Sequence, residues 1–522
     1  MKRLICLIPI CLLAACSQSA WLDGPSQDPY QSLQHGMIQL GEKLEDPYTV
    51  DNMQKALENV YGSKAERVDI SATDHYVRFL PQDNEQYMAL LESGLYLLDH
   101  PMDYSIKREG DYYQDPEVGD EAITWQYAVV PKDFTFPEGI RYEMLDEVYI
   151  SEHAATTRAA DFVDWDLVEK EAFRLTGNED LWVEPTKAGS NTPSGRITIE
   201  DPLFSGGKPF GVAGVKVAAN IFVKIATTYT DRDGYYQMGK SFSGQPRYRL
   251  VFQNEKGFNI GFNFLIVPAS VSTLGKGDPS GVDVHVTAQS EGSLFRRCVV
   301  NNAGYDYYTR CTEDDLDIAP PPGDLRIWIF PDLKCSSANM LHHGAFLDHG
   351  LITAYLKEYL FLVKLFMPDV TIGTKEMTYS QIYEVVMHEL AHTSHYAQVG
   401  NDFWTPFIDY ILLSFITESR TDYGSGTASG ANYCELGEMW GFFMQETLKK
   451  DRYGGTVRQF GNTYWFKPDI FTYLYERGIS RGEIYRALKA GVNSIDDFKE
   501  ELIAQLPDRE TVITQTFQHY GK

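Results

Sequence analysis

The segment 378–400, TYSQIYEVVMHELAHTSHYAQVG, decides how this chain is read. Thr378 with Gln381 three residues later is a capping box, and Gly400 is a stop signal, so a helix is expected between them. Inside it, HELAHTSH places His388 and His392 four residues apart, on one face and about one turn from each other, so that both imidazoles can converge on a single tetrahedral Zn²⁺. Glu389, beside the first histidine, is placed to activate the metal's water. His395 shares the face of His388, but seven residues of helix lift it roughly 10 Å along the axis, too far to join the same ion. It is expected either to line the cleft behind the ligands or to stand exposed.

A third ligand has to come from elsewhere. His395 and Gln398 occupy the positions where the metzincin spacing requires Gly and His, which excludes that pattern. His342, His343 and His349 in LHHGAFLDHG follow no ligand spacing and read as a loop. The stretch 433–443, YCELGEMWGFF, supplies Glu435 and Glu438. Asn432 followed by Glu435 is a variant of the capping pattern, so Glu435 is expected in the first helical turn, as a cap or as a support for the ligands. Glu438 lies one turn further in, with Gly441 beyond it to let two backbones come close, and is the expected third ligand.

Glu438, Met439, Trp440 and Gly441 resemble the second metal-binding helix of the gluzincins, in which a ligand glutamate is followed by aromatic residues and a small one. The resemblance covers about residues 375 to 450. It implies one Zn²⁺ per chain held by His388, His392 and Glu438, with Glu389 as general base. A tyrosine or histidine would stabilise the oxyanion, and Tyr433 and Tyr423 are nearest in sequence to the second helix.

The chain opens MKRLICLIPICLLAAC, two basic residues and an apolar run too short to span a bilayer, which reads as an export signal. Its end, Leu13 to Cys16, resembles the lipobox of bacterial lipoproteins, which implies a lipid on Cys16; Ser17, not being acidic, implies the outer membrane. No later apolar run of about twenty residues offers a second anchor. The formal charge of −27 becomes −29 once Lys2 and Arg3 leave, which argues against nucleic acid or anionic lipid as a partner. With 43% hydrophobic and 13% aromatic residues, the composition is that of a folded protein. Four cysteines lie beyond the leader, Cys298, Cys311, Cys335 and Cys434, with no CxxC pair; Cys298 with Cys311 closes the shortest loop and is the first pairing expected.

The organisation expected is multidomain α+β. After the signal at 1–15 and a tether at 16–37 comes an α+β domain at 38–190, with a helix capped by Thr49 and stopped by Gly62. Short alternating runs at 195–270 suggest a small antiparallel β-sandwich. Within it, TDRDGYYQ resembles a turn of carboxypeptidase-regulatory-like domains, Asp231 and Asp233 reading as a hairpin turn rather than a calcium loop. A connecting segment at 271–330 leads to a mainly helical zincin-like domain at 331–522, in which 351–367 and 406–418 are expected helices.

Together these features resemble the multidomain zincin-like lipoproteins of Bacteroides-type bacteria. They imply a zinc metallopeptidase anchored outside the cell and acting on proteins or glycoproteins. The alternative is a surface lipoprotein that binds a glycan or host protein and carries a vestigial zincin domain. The leader makes its own prediction: the mature chain begins at Cys16 with lipid attached. Mass spectrometry of the membrane-extracted protein checks this, and an unmodified N-terminus elsewhere would refute it.

Overall fold

The computed structural model describes residues 37–522 apart from 111, 120–121, 155–159, 184–191, 262–269, 291–292, 314–315, 332–333, 345–367 and 418–422. The leader with Cys16, the tether up to residue 36, His349 and the apolar segment 351–367 lie outside the described residues.

The chain is α+β, with several sheets and a helical C-terminal region. Its first helix, Val50–Tyr61, begins as the sequence predicts: the Thr49 side chain accepts the Asn52 amide at 3.3 Å, and Gly62, at φ 56°, ends it. Its buried face packs against a second helix, Trp165–Leu175. Beside this pair stands a three-stranded sheet of Gln126–Pro131, Asp74–Leu80 and Arg141–Val148, in that order. The buried Lys224 ties this N-terminal region to the rest, lying 2.7 Å from Glu152 and 2.8 Å from Glu169.

The strands between 194 and 286 divide between two sheets. The smaller holds Ser194–Ile199, Phe210–Gly211, Tyr235–Gln237 and Val284–Val286. The larger has eight strands and does not stop at residue 270. Antiparallel strands Lys224–Tyr229, Val215–Ile221, Arg247–Asn254 and Phe258–Gly261 continue into Leu325–Phe330 and Val370–Gly373, which pair in parallel, and end on Ser337–Ala338, while Val271–Lys276 pairs antiparallel with Arg247–Asn254 off this path. The boundaries expected at 270 and 331 are therefore crossed by one hydrogen-bonded sheet. The turn at Asp231 forms, with its carboxylate accepting the Asp233 and Tyr235 amides at 2.9 Å, but it is not a hairpin: Tyr235–Gln237 pairs with Ser194–Arg196 in the other sheet.

The expected connecting segment contains a 19-residue helix, Leu294–Thr312. Asn301 and Asn302, buried on it, hydrogen-bond the backbone around Gly211 and Ala213 at 2.8–2.9 Å. This helix also overturns the expected disulfide. Cys298 and Cys311 are thirteen residues apart on it, a rise of about 20 Å, where a disulfide needs Cα atoms within about 7 Å. All four described cysteines are free.

The helix packs against Tyr379–Val399, with Tyr307 Oη donating to Ser394 Oγ at 3.0 Å and Tyr383 Oη to Asp306 at 2.6 Å. The remaining α-helices among the described residues are Asn84–Glu92, Asn401–Thr417, Ala431–Tyr453 and four shorter ones between Asp469 and His519. No helix among the described residues is long and apolar enough to cross a membrane.

Near the start of the N-terminal region, Asp46 accepts the Tyr48 amide at 2.8 Å through Oδ1, while Oδ2 is buried without a partner among the described residues. Burial pushes its pKa up to about 8. The native state thus holds a proton that the unfolded chain releases near pH 4, and stability should fall as pH rises from there to about 8. Asp46→Asn is expected to flatten that decline, measured as the urea midpoint across the same pH window.

Candidate metal centre

The helix carrying HELAH runs Tyr379–Val399. At its start the Thr378 side chain accepts the Gln381 amide and Gln381 reaches back to the Thr378 amide, and Gly400 at φ 66° ends it, as the sequence predicts. The helix Ala431–Tyr453 crosses it in the antiparallel sense. Lys449 pairs with Glu384 at 2.8 Å, and Trp440 Nε1 donates to the Ala391 carbonyl at 2.9 Å.

Around the second of these contacts His388, His392 and Glu438 come together, each offering one ligand atom within 4.8 Å of the others. The Nε2 atoms of His388 and His392 lie 3.0 Å apart, and Glu438 stands 3.3 Å from the first and 3.7 Å from the second. All three side chains are buried. Both Glu438 oxygens lack a hydrogen-bond partner among the described residues. Burial, then His388 and His395, hold His392 well below the ordinary imidazole pKa, so it stays a neutral donor. A buried carboxylate with no donor is costly, and this group of two imidazoles and a carboxylate can hold a metal ion that would satisfy it.

Gly441 is the reason the helices approach so closely. A Cβ there would lie 2.8 Å from His388 Cε1 and 2.9 Å from His392 Cε1, inside contact distance. Packing then orients the rings: His388 lies edge-on to Phe442, with centroids 4.7 Å apart, and His392 contacts Trp404 and Phe407, each at 5.8 Å. The Nδ1 atoms of both histidines have no hydrogen-bond partner among the described residues, so the rings are held by packing. The aromatic run at Phe403, Trp404 and Phe407 was visible in the sequence. Its approach to the histidines was not, because it depends on how Asn401–Thr417 folds back.

Glu389 is 1% exposed and its Oε2 has no partner among the described residues. Burial first, and the charge of Glu438 second, raise its pKa well above the ordinary carboxylate value. His395 does not join the donor group, in keeping with its height along the axis. It is not exposed either: fully buried, it packs on Phe403 at 4.6 Å and Trp404 at 5.9 Å, and burial pushes its pKa down to about 3.

Glu435 does not cap its helix. The N-cap is Gly430, Asn432 donates instead to the Asn493 carbonyl at 2.7 Å, and Glu435 accepts from Lys522 Nζ at 2.6 Å. The terminal residue thus gives Glu435 a structural partner that its local sequence does not suggest. Tyr433 is half-buried and packs on Phe403 at 5.0 Å. Tyr423 is buried, with its ring 6.1 Å from Phe442, the residue that flanks His388. His342 and His343 serve other partners, Asp324 at 3.1 Å and Asp369 at 2.9 Å.

No family model matches the chain, and comparison with curated proteins and with solved structures finds no match.

The geometry separates the two glutamates. In titration calorimetry with Zn²⁺, Glu438→Ala is expected to weaken binding at least about 100-fold, while Glu435→Ala stays within a few-fold of the parent chain. Gly441→Ala, which pushes on both imidazoles, should fall between them. Tight binding by Glu438→Ala would remove it as a ligand.

Proposed function

We propose that the chain is a lipid-anchored zinc metallopeptidase that acts outside the cell and hydrolyses peptide bonds in proteins or glycoproteins. The observation that carries this reading is the meeting of Glu438, from a separate helix, with His388 and His392 of HELAH, at 3.3 and 3.7 Å. Two imidazoles and one carboxylate form a donor set used by catalytic zinc, which keeps one position open. Bound there, the ion would supply Lewis-acid polarisation of a carbonyl and would acidify a water molecule.

The chain's own residues do the remaining work. Glu389 follows His388 directly and its Oε2 is free to accept a proton. It takes the proton of the attacking water and returns it to the leaving amine. Phe442, Trp404 and Phe407 surround the imidazoles with apolar surface, which excludes competing water and strengthens charge interactions inside the site. The lipobox and the acidic composition support the location: an exported, anchored chain kept soluble by its net charge of −27.

A proteome-wide cleavage profile of the purified protein should yield peptide substrates. On these, Glu389→Gln is expected to lose about 10²- to 10⁴-fold in kcat while its metal content, measured by atomic emission, stays at one ion per chain. His388→Ala should lose both metal and activity. Full activity of Glu389→Gln would exclude this mechanism. A metal-loaded parent chain that cleaves nothing would favour a binding lipoprotein instead.

A further inference from the structure

Beyond the edge strand Ser337–Ala338 the chain turns at 341–344, and this short segment grips the histidine helix and its neighbour. The Ala338 carbonyl accepts Trp404 Nε1 at 3.0 Å, and the His343 carbonyl accepts Tyr396 Oη at 2.8 Å. Trp404 packs on the His392 ring, and Tyr396 stands one turn beyond His392 on the same helix. Their own rings meet at 5.9 Å. The Tyr396 hydroxyl has one hydrogen and a second acceptor within reach, Asn401 Oδ1 at 2.9 Å, so the place of the His343 carbonyl decides where that hydrogen goes.

His343 is itself fixed by its ring. Nδ1 lies 2.9 Å from Asp369 Oδ1, and Nε2 lies 3.2 Å from the Gly323 carbonyl. Both neighbours are acceptors, for the buried Asp369 also takes the His343 amide at 3.2 Å and the Arg326 amide at 3.0 Å, one through each oxygen. A neutral imidazole has one N–H and would turn a lone pair toward one of these oxygens, whereas an imidazolium satisfies both. Burial of the ring opposes that charge, but the hydrogen bond to Asp369 and its attraction outweigh burial and raise the pKa above the ordinary imidazole value. Among the described residues the charged groups around His343 are Asp369 and Asp324, each just before a parallel strand, and Arg326, which lies 3.6 Å from Asp324. His342 sits on Asp324 at 3.1 Å, and Tyr308 and Tyr396 face the cluster from the helices Leu294–Thr312 and Tyr379–Val399. Two carboxylates against one guanidinium leave a negative charge, which the imidazolium balances.

We propose that His343 is a positioning residue for the metal centre: its imidazolium, bound to Asp369 and Gly323, fixes the turn whose carbonyl holds Tyr396, and through Tyr396 and Trp404 it steadies the ring of His392. The inference rests on His388, His392 and Glu438 being metal ligands, and not on the peptidase reaction. Because the folded pKa lies above the unfolded value of about 6.5, this contribution is complete below that pH and is lost as pH rises through the folded value. Metal ligands bind better as pH rises, since protons leave them. The two effects therefore have opposite signs.

The test joins two measurements on the purified full-length chain. Magnetic resonance of the ¹⁵N-histidine-labelled protein, with His343 assigned by its loss in His343→Gln, should show both its ring nitrogens protonated at about pH 6 and a pKa above the ordinary value. Zinc affinity, by competition with a chromophoric chelator, should be about three- to tenfold tighter in the parent than in His343→Gln at that pH, as one hydrogen bond implies. This ratio should approach one above the pKa found by resonance. Tyr396→Phe should lose a similar factor over the same pH range, which keeps the test if His343→Gln does not fold, and the double variant should lose little more than either alone. A singly protonated His343 at about pH 6, an affinity ratio of one there, a ratio that does not change with pH, or additive losses in the double variant would each overturn the proposal. A parent chain that binds no zinc would remove the metal centre itself, whereas those outcomes remove only the role of His343.

Discussion

The whole site depends on how closely two antiparallel helices can run. A glutamate on Ala431–Tyr453 reaches an imidazole on Tyr379–Val399 at 3.3 Å because no side chain stands between the backbones at Gly441. Any Cβ there would meet His388 and His392 at 2.8–2.9 Å. One turn earlier, Gly437 does the same for Phe407, whose ring would lie 2.9 Å from a Cβ and which itself flanks His392. The two glycines lie on one face of a helix whose interior would ordinarily disfavour them by roughly 1 kcal/mol each. That cost is offset by the packing they permit, and the Trp440 to Ala391 hydrogen bond then sets the register in which the donors meet.

Polar satisfaction also fails at the metal centre. Other buried charges are compensated: Lys224 sits between two glutamates, and Asp369 accepts from the Arg326 amide at 3.0 Å and from His343 at 2.9 Å, whereas Asp46 Oδ2 is a second exception. At the centre both Glu438 oxygens, Glu389 Oε2 and the Nδ1 atoms of both histidines have no partner among the described residues. Folded proteins tolerate such groups mainly where function requires them, because each lowers stability by an amount comparable to a lost hydrogen bond. The arrangement acquires a reason if a cation completes it.

Support for the centre comes from parts of the chain that lie far from it in sequence. Helix Leu294–Thr312 braces the histidine helix through Tyr307 and Asp306 and is fixed in turn to the strand region near Ala213 by Asn301 and Asn302. Tyr485 Oη reaches the Ser394 carbonyl at 2.8 Å from the C-terminal helices. The shared sheet makes the strand-rich middle and the helical end a continuous support, so damage in one is expected to be felt in the other.

Local signals in the sequence determined the histidine helix, its two ends and the placing of His388 and His392 on one face, because capping, helical periodicity and one-turn spacing act within a few residues; Glu438 was preferred partly by assigning Glu435 to a cap that the structure does not form. The helices at Val50–Tyr61 and Ala431–Tyr453 were legible for the same reason. What depended on distant chain was not. Helix Leu294–Thr312 escaped notice because its asparagines and tyrosines are stabilised by tertiary hydrogen bonds, and the cysteines on it suggested a loop. Glu435 found its partner in Lys522, eighty-seven residues away, and His395 was buried by aromatic rings from the next helix. Strand pairing is non-local by nature: an alternating run shows that a strand forms, but only the assembled sheet decides which neighbour completes its hydrogen bonds. The domain boundaries drawn from local patterning are therefore crossed by one sheet spanning residues 215 to 373.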